Sequence, residues 1–247
     1  MPIQQMLLGV GAKKKTYMDD VFSTYLYKGN ETARAINNGI NLSGEGGLVW
    51  VKSRNDTHDN HLVDTVRGAN DILQSNTNGA EATIANRITG FNGNGFNLGS
   101  AGQVNGTSTY KYSSWSFRKA PGFFDIVTYT GNGNSSRQIS HNLGTNVGMT
   151  IVKCTSNNNY WHVLHRDGNA AKTLYLNRAD GETNDTYAWN STHATSTHFT
   201  VGASLNTNGR TYVAYVFAGG ESTNALARSV DLDGSGDYLS TSSSSSD

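Results

Sequence analysis

The chain is expected to be all-β: two tandem antiparallel β-sandwich domains, jelly-roll-like, behind an extended N-terminal arm. Three observations lead there. Residues 25–119 and 127–218 carry one pattern twice, about a hundred residues apart. The apolar residues fall in short runs, several of them alternating with polar residues as half-buried strands do. The chain also holds 28 glycines and 28 asparagines against two prolines. Gly and Asn tolerate the left-handed backbone of tight turns, so this usage suits many short strands.

The repeat is explicit in the residues. Tyr27-Lys-Gly-Asn30 matches Tyr129-Thr-Gly-Asn132, and Ile36-Asn-Asn-Gly-Ile-Asn-Leu42 matches Ile139-Ser-His-Asn-Leu143. Leu48-Val-Trp-Val-Lys52 matches Met149-Thr-Ile-Val-Lys153, and Phe96-Asn-Leu-Gly99 matches Phe199-Thr-Val-Gly202. Tyr112, Trp115 and Phe117 match Tyr212, Tyr215 and Phe217. The copies share apolar strand residues and turn glycines, as two copies of one core must. The charge they share is a strand-end lysine, Lys52 and Lys153, read as solvated.

In chain order, residues 1–23 are an arm, 24–121 a first sandwich, 122–219 a second, and 220–247 a linker and the start of a further β module. Strand-like runs in the first copy are 24–28, 48–52, 61–66 and 110–118. In the second they are 124–130, 149–154, 160–165, 173–177, 197–202 and 211–218. The last, Tyr212-Val-Ala-Tyr-Val-Phe-Ala218, is apolar throughout and suits a strand covered on both faces. Residues 80–88 are the best short helix candidate.

Charge and composition exclude several function classes. Nineteen basic residues balance nineteen acidic ones, so no electrostatic argument favours nucleic acid or an anionic membrane. No run approaches the roughly 18 apolar residues of a membrane span. The N-terminus lacks the basic residue and long apolar core of a secretory signal. The single cysteine, Cys154, rules out an intrachain disulfide and reads as a buried strand thiol.

Candidate chemistry is sparse. His162 and His165 are three apart on a strand and point to opposite faces, which does not suit a shared metal. Asp231, Asp233, Ser235, Gly236 and Asp237 imitate the front of an EF-hand loop, but Ser242 stands where the bidentate Glu belongs. Acids are scattered without the facing pair that glycoside hydrolysis needs. No metal, cofactor or catalytic residue is therefore assigned. Trp50 and Trp115 hold shared positions and read as packing. Tyr187 and Trp189, in an Asn/Thr-rich segment, are the candidate glycan contacts, with a core or interchain role as the alternative reading.

Certain strings resemble a family. Phe123-Phe-Asp-Ile-Val-Thr-Tyr-Thr-Gly-Asn-Gly133, Trp161-His-Val-Leu-His-Arg166 and Thr211-Tyr-Val-Ala-Tyr-Val-Phe-Ala218 resemble a domain of tailed-phage virion proteins frequent in phages of marine bacteria. Gly46-Gly-Leu-Val-Trp-Val-Lys-Ser-Arg54, Asp64-Thr-Val-Arg-Gly68 and Ser114-Trp-Ser-Phe-Arg-Lys-Ala-Pro121 resemble a domain that precedes it. Ser229-Val-Asp-Leu-Asp-Gly-Ser-Gly-Asp-Tyr-Leu239 resembles the start of a laminin-G-like module, so the chain is expected to be the front of a longer protein. The resemblance spans roughly residues 17–240. It implies a structural, non-enzymatic tail fibre made in the host cytoplasm, a homotrimer whose arm docks on tail adaptor or nozzle proteins through Ile3, Met6, Leu7 and Leu8. It implies host surface polysaccharide as the target of distal regions. A carbohydrate-binding module, a head fibre and a capsid decoration are the alternatives.

Overall fold

The computed structural model describes residues 16–220. Ile3, Met6, Leu7 and Leu8, and the segment 229–239, lie outside the described residues. Within them the chain is all-β and sandwich-like, with antiparallel pairing throughout.

The first copy supplies β1 (Phe22–Lys28), β2 (Arg34–Asn37), β3 (Gly47–Ser53), β4 (His61–Asp64), β5 (Gly68–Leu73), β6 (Ala82–Thr83), β7 (Ile88–Asn92), β8 (Gly95–Leu98) and β9 (Lys111–Arg118). The second supplies β10 (Phe124–Thr130), β11 (Ser136–Ser140), β12 (Val147–Cys154), β13 (His162–His165), β14 (Lys172–Tyr175), β15 (Thr183–Asn184), β16 (His198–Gly202) and β17 (Thr211–Ala218). Four one-turn helices interrupt them: α1 (Met18–Val21), α2 (Leu42–Glu45), α3 (Gly102–Asn105) and α4 (Thr186–Trp189).

The copies have the same topology. A large sheet runs β1-β9-β3-β4-β5-β6 in one and β10-β17-β12-β13-β14-β15 in the other. A small sheet, β2-β8-β7 or β11-β16, covers one face of each. Between small and large sheet lies a core: Ile36, Phe96 and Leu98 against Val49, Val51 and Tyr112 in the first copy, and Ile139, Phe199 and Val201 against Val152, Ala214 and Val216 in the second. Each copy carries the same turn at one end. Gly29 and Gly131 run so close to the backbone that a Cβ would overlap the carbonyl oxygen of Gly106 or of Thr207, which is why the Gly recurs.

The first copy begins ahead of residue 24. Val21 is buried, and Phe22 and Ser23 already pair with Phe117 and Ser116. Residues 80–88 are not a helix. They hold β6 and the start of β7, because Glu81 and Ile84 are tied by backbone hydrogen bonds to Thr155 and Asn70. Local propensity yielded to tertiary pairing.

The two large sheets also pack on each other. Alternation along β3 sends Val49 and Val51 to the inner core and Leu48 and Trp50 to the opposite face. There Leu48, Leu62 and Leu73 meet Phe124, Ile126, Ile151, Trp161, Val163, Val213 and Tyr215 in a third cluster. The result is four layers, small–large–large–small. β17 is apolar throughout for this reason: Tyr212, Ala214 and Val216 face the inner core, Val213 and Tyr215 the seam. The connection between copies is a tight turn. Phe123 N–H donates to Ala120 O at 3.1 Å, with Pro121 and Gly122 (φ 75°) in the central positions that a type II turn assigns to Pro and Gly.

Candidate functional site at the seam between the repeats

The string Asp64-Thr-Val-Arg-Gly68 builds the polar centre of the seam. Asp64 ends β4, and its Oδ1 accepts from the backbone N–H groups of Val66 and Arg67 at 3.0 and 2.9 Å. That turn brings the Arg67 side chain back onto Asp64, with Nε donating to Oδ2 at 2.6 Å. The guanidinium also donates to Glu81 Oε2 at 2.6 Å, Asp71 O at 3.0 Å and Tyr215 Oη at 3.1 Å. Tyr215, from the other copy, donates its hydroxyl to Asp64 Oδ2 at 2.9 Å. Asp64 is fully buried and Arg67 nearly so. Burial works against the guanidinium charge, but Tyr215, Asp64 and Glu81 outweigh it and raise the Arg67 pKa. Burial likewise holds the Tyr215 hydroxyl protonated, well above its ordinary range.

Residues 74–81 continue from this network across the second copy. Gln74 O accepts from Trp161 Nε1 at 3.0 Å, Asn78 O from the Asn159 N–H at 2.9 Å, and Thr155 O from the Glu81 N–H at 2.8 Å. Asn78 O also accepts from Lys153 Nζ at 3.3 Å. Lys153 is buried, not solvated as its strand-end place suggests, and burial lowers its pKa to about 8. The overlying first copy, which the sequence pattern does not reveal, is the physical reason.

Beside the network a cleft of about 450 Å³ opens between the copies, lined by Arg67, Glu81, Thr128, Tyr129, Thr130, Thr155, Thr211 and Tyr212. Glu81 Oε2 holds Arg67, while its Oε1 accepts nothing from the described residues. Thr155 and Thr211 join their hydroxyls at 2.6 Å. The cleft thus presents hydroxyls and one carboxylate oxygen.

The predicted aromatic contacts separate. Tyr187 is 68 % exposed, but Trp189 is 0 % exposed, with Nε1 donating to Thr173 Oγ1 at 3.1 Å. Trp189 offers no face to a sugar, because one turn of helix folds it into the inner core. Trp50 and Trp115 are only half-buried and meet edge to face, centroids 6.1 Å apart, with Trp50 packed at the margin of the seam cluster.

Strand register adds one recurrence that the doubled sequence pattern does not show, and side-chain contacts extend another that it does. His61 opposes Val51 as His162 opposes Val152. Both are buried, and burial lowers each pKa to about 4, aided at His61 by the Arg87 charge. Arg87 Nη1 lies 2.7 Å from His61 Nε2. His165 stands on the exposed side, as the strand period requires. The other recurrence is an end motif. Tyr27 and Tyr129 stack on Tyr112 and Tyr212, under Arg34 and Arg137, beside the buried Asn105 and Asn206 that accept from the N–H of Asn30 and Asn132. Among the described residues no three of His, Cys, Asp and Glu gather as a metal site requires, and no described helix is long and apolar enough to cross a membrane.

Register, turn and seam make residues 22–218 one unit of two repeats, and one family model runs across it. The model, a domain of unknown function (DUF7483), matches residues 18–226. The chain belongs to this family. The DUF7483 match begins at α1, just ahead of β1, and spans both copies and the seam. No curated protein and no solved structure matches the chain.

Proposed function

We propose that this DUF7483 chain is a structural component of a tailed-phage particle, part of a tail fibre. The seam is the observation that supports this reading. A third core, a buried ion network and a two-residue turn join the copies into one stiff unit, which suits a spacer that holds a distal element away from its attachment point. The resemblance to virion proteins supplies the particle. In this reading the residues before α1, including Ile3, Met6, Leu7 and Leu8, attach each chain to adaptor or nozzle proteins of the tail. The fibre is a homotrimer, and its symmetry multiplies weak contacts to host surface polysaccharide made further along.

The test is to remove residues 1–15, which leaves β1 whole. The truncated protein is expected to fold, by circular dichroism, and to be missing from tails in electron-microscopy maps of the particles. Truncated protein that still joins particles would sink the attachment arm, and full-length protein found on the head would sink the tail assignment.

A further inference from the structure

Positions that both copies share serve the fold, so a site is best sought where the copies differ. The cleft at the seam is such a place. Thr128, Thr130 and Thr211 stand in register where the first copy has Leu26, Lys28 and Lys111. Glu81 reaches into the seam, while its counterpart Glu182 stays within its own copy beside Lys172 and Asn169.

We propose that this cleft binds a neutral polyhydroxylated ligand, a short saccharide, between Glu81 and the threonines of β10 and β17. The volume, about 450 Å³, falls in the range of roughly 300–1,000 Å³ for small-molecule sites. Thr hydroxyls donate and accept, and the unoccupied Glu81 Oε1 accepts, which complements the hydroxyls of a sugar ring. The charge pattern selects against an anion. Arg67 is already held by Asp64 and Glu81, so the group carries one net negative charge and no cation is left to receive a carboxylate or phosphate. The cleft needs both copies, since Glu81 comes from one and the threonines from the other. The inference does not rest on the appendage reading, because particle location and saccharide binding are measured separately.

The experiment is saturation-transfer NMR on the full chain with maltotriose, lactose and N-acetylglucosamine, against glucuronic acid and putrescine as charged comparators. Saturable transfer to at least one neutral sugar is expected, with weaker transfer to both charged probes. Thr128→Leu, which installs the first copy's residue, should abolish it. Glu81→Gln should weaken it about tenfold, a change of roughly 1.4 kcal/mol. Tyr187→Ala should leave it unchanged. Should Glu81→Gln disturb the seam, Thr128→Leu decides, as its hydroxyl has no partner among the described residues. Absence of a saturable signal with every neutral sugar, a signal that survives Thr128→Leu, loss with Tyr187→Ala, or preference for a charged probe would each overturn the proposal.

Discussion

Replacing Arg67 by Met removes the guanidinium from the seam at nearly constant volume. Five acceptors lose a donor: Asp64 Oδ2, Glu81 Oε2, Asp71 O, Leu62 O and Tyr215 Oη. Glu81 can turn to water, but Asp64 cannot, being 0 % exposed. It keeps two backbone N–H donors and the Tyr215 hydroxyl and loses its counter-charge. Breaking a buried pair in this way costs about 3–5 kcal/mol, and the remaining donors place the value near the lower end, about 3 kcal/mol. That is a large part of the roughly 5–15 kcal/mol that holds a domain folded. Urea unfolding followed by far-ultraviolet circular dichroism reads it directly. The double variant Asp64→Asn with Arg67→Met removes both buried charges of this pair. Its cost should fall short of the summed single costs by about 2 kcal/mol. A cost below about 1 kcal/mol for Arg67→Met, or strict additivity in the cycle, would refute the view that Asp64 and Arg67 hold the seam as a pair.

Three further outcomes are expected. His61 and His162 are neutral in the fold with pKa values lowered to about 4, so the unfolded chain binds more protons between that value and roughly 6.5. Stability should therefore fall as pH drops through this window, by at most about 1.4 kcal/mol per pH unit for each histidine, and Tm against pH should flatten in the His61→Gln, His162→Gln double variant. Lys153, lowered to about 8, acts in the other window: the unfolded chain again binds more protons from there to roughly 10.4, so Lys153 adds stability as pH rises, and Lys153→Met should remove that slope in urea titrations at successive pH values. Residues 122–220 expressed alone should expose Ile126, Ile151, Trp161 and Val213 and associate or unfold, which sedimentation velocity would show; a monomeric, fully folded fragment would contradict the shared core.

Much was legible in the sequence because it depends on neighbours along the chain. Strand period, turn residues and the doubled pattern of Tyr27, Ile36, Phe96 and Tyr112 mark two copies of one all-β plan, and the long strands fall close to where alternation puts them. Shorter strands such as β2 and β7 lack enough alternating residues to stand out. Alternation also separates two faces of a strand without saying what lies on each. Only the tertiary structure decided that the outer faces of the large sheets cover one another. That choice buried Lys153, left Trp50 and Trp115 half-open, tied Glu81 to Thr155 so that 80–88 holds a two-residue strand and a turn in place of a helix, and joined Asp64 and Arg67 to Tyr215 across about 150 residues. Trp189 was settled in the same way, since a single helical turn in an Asn/Thr-rich stretch carries no periodic signal, and the vacancy it fills exists only once the sheets have packed. The sequence determines which residues want to be inside; the packing of one copy on the other determines where inside is.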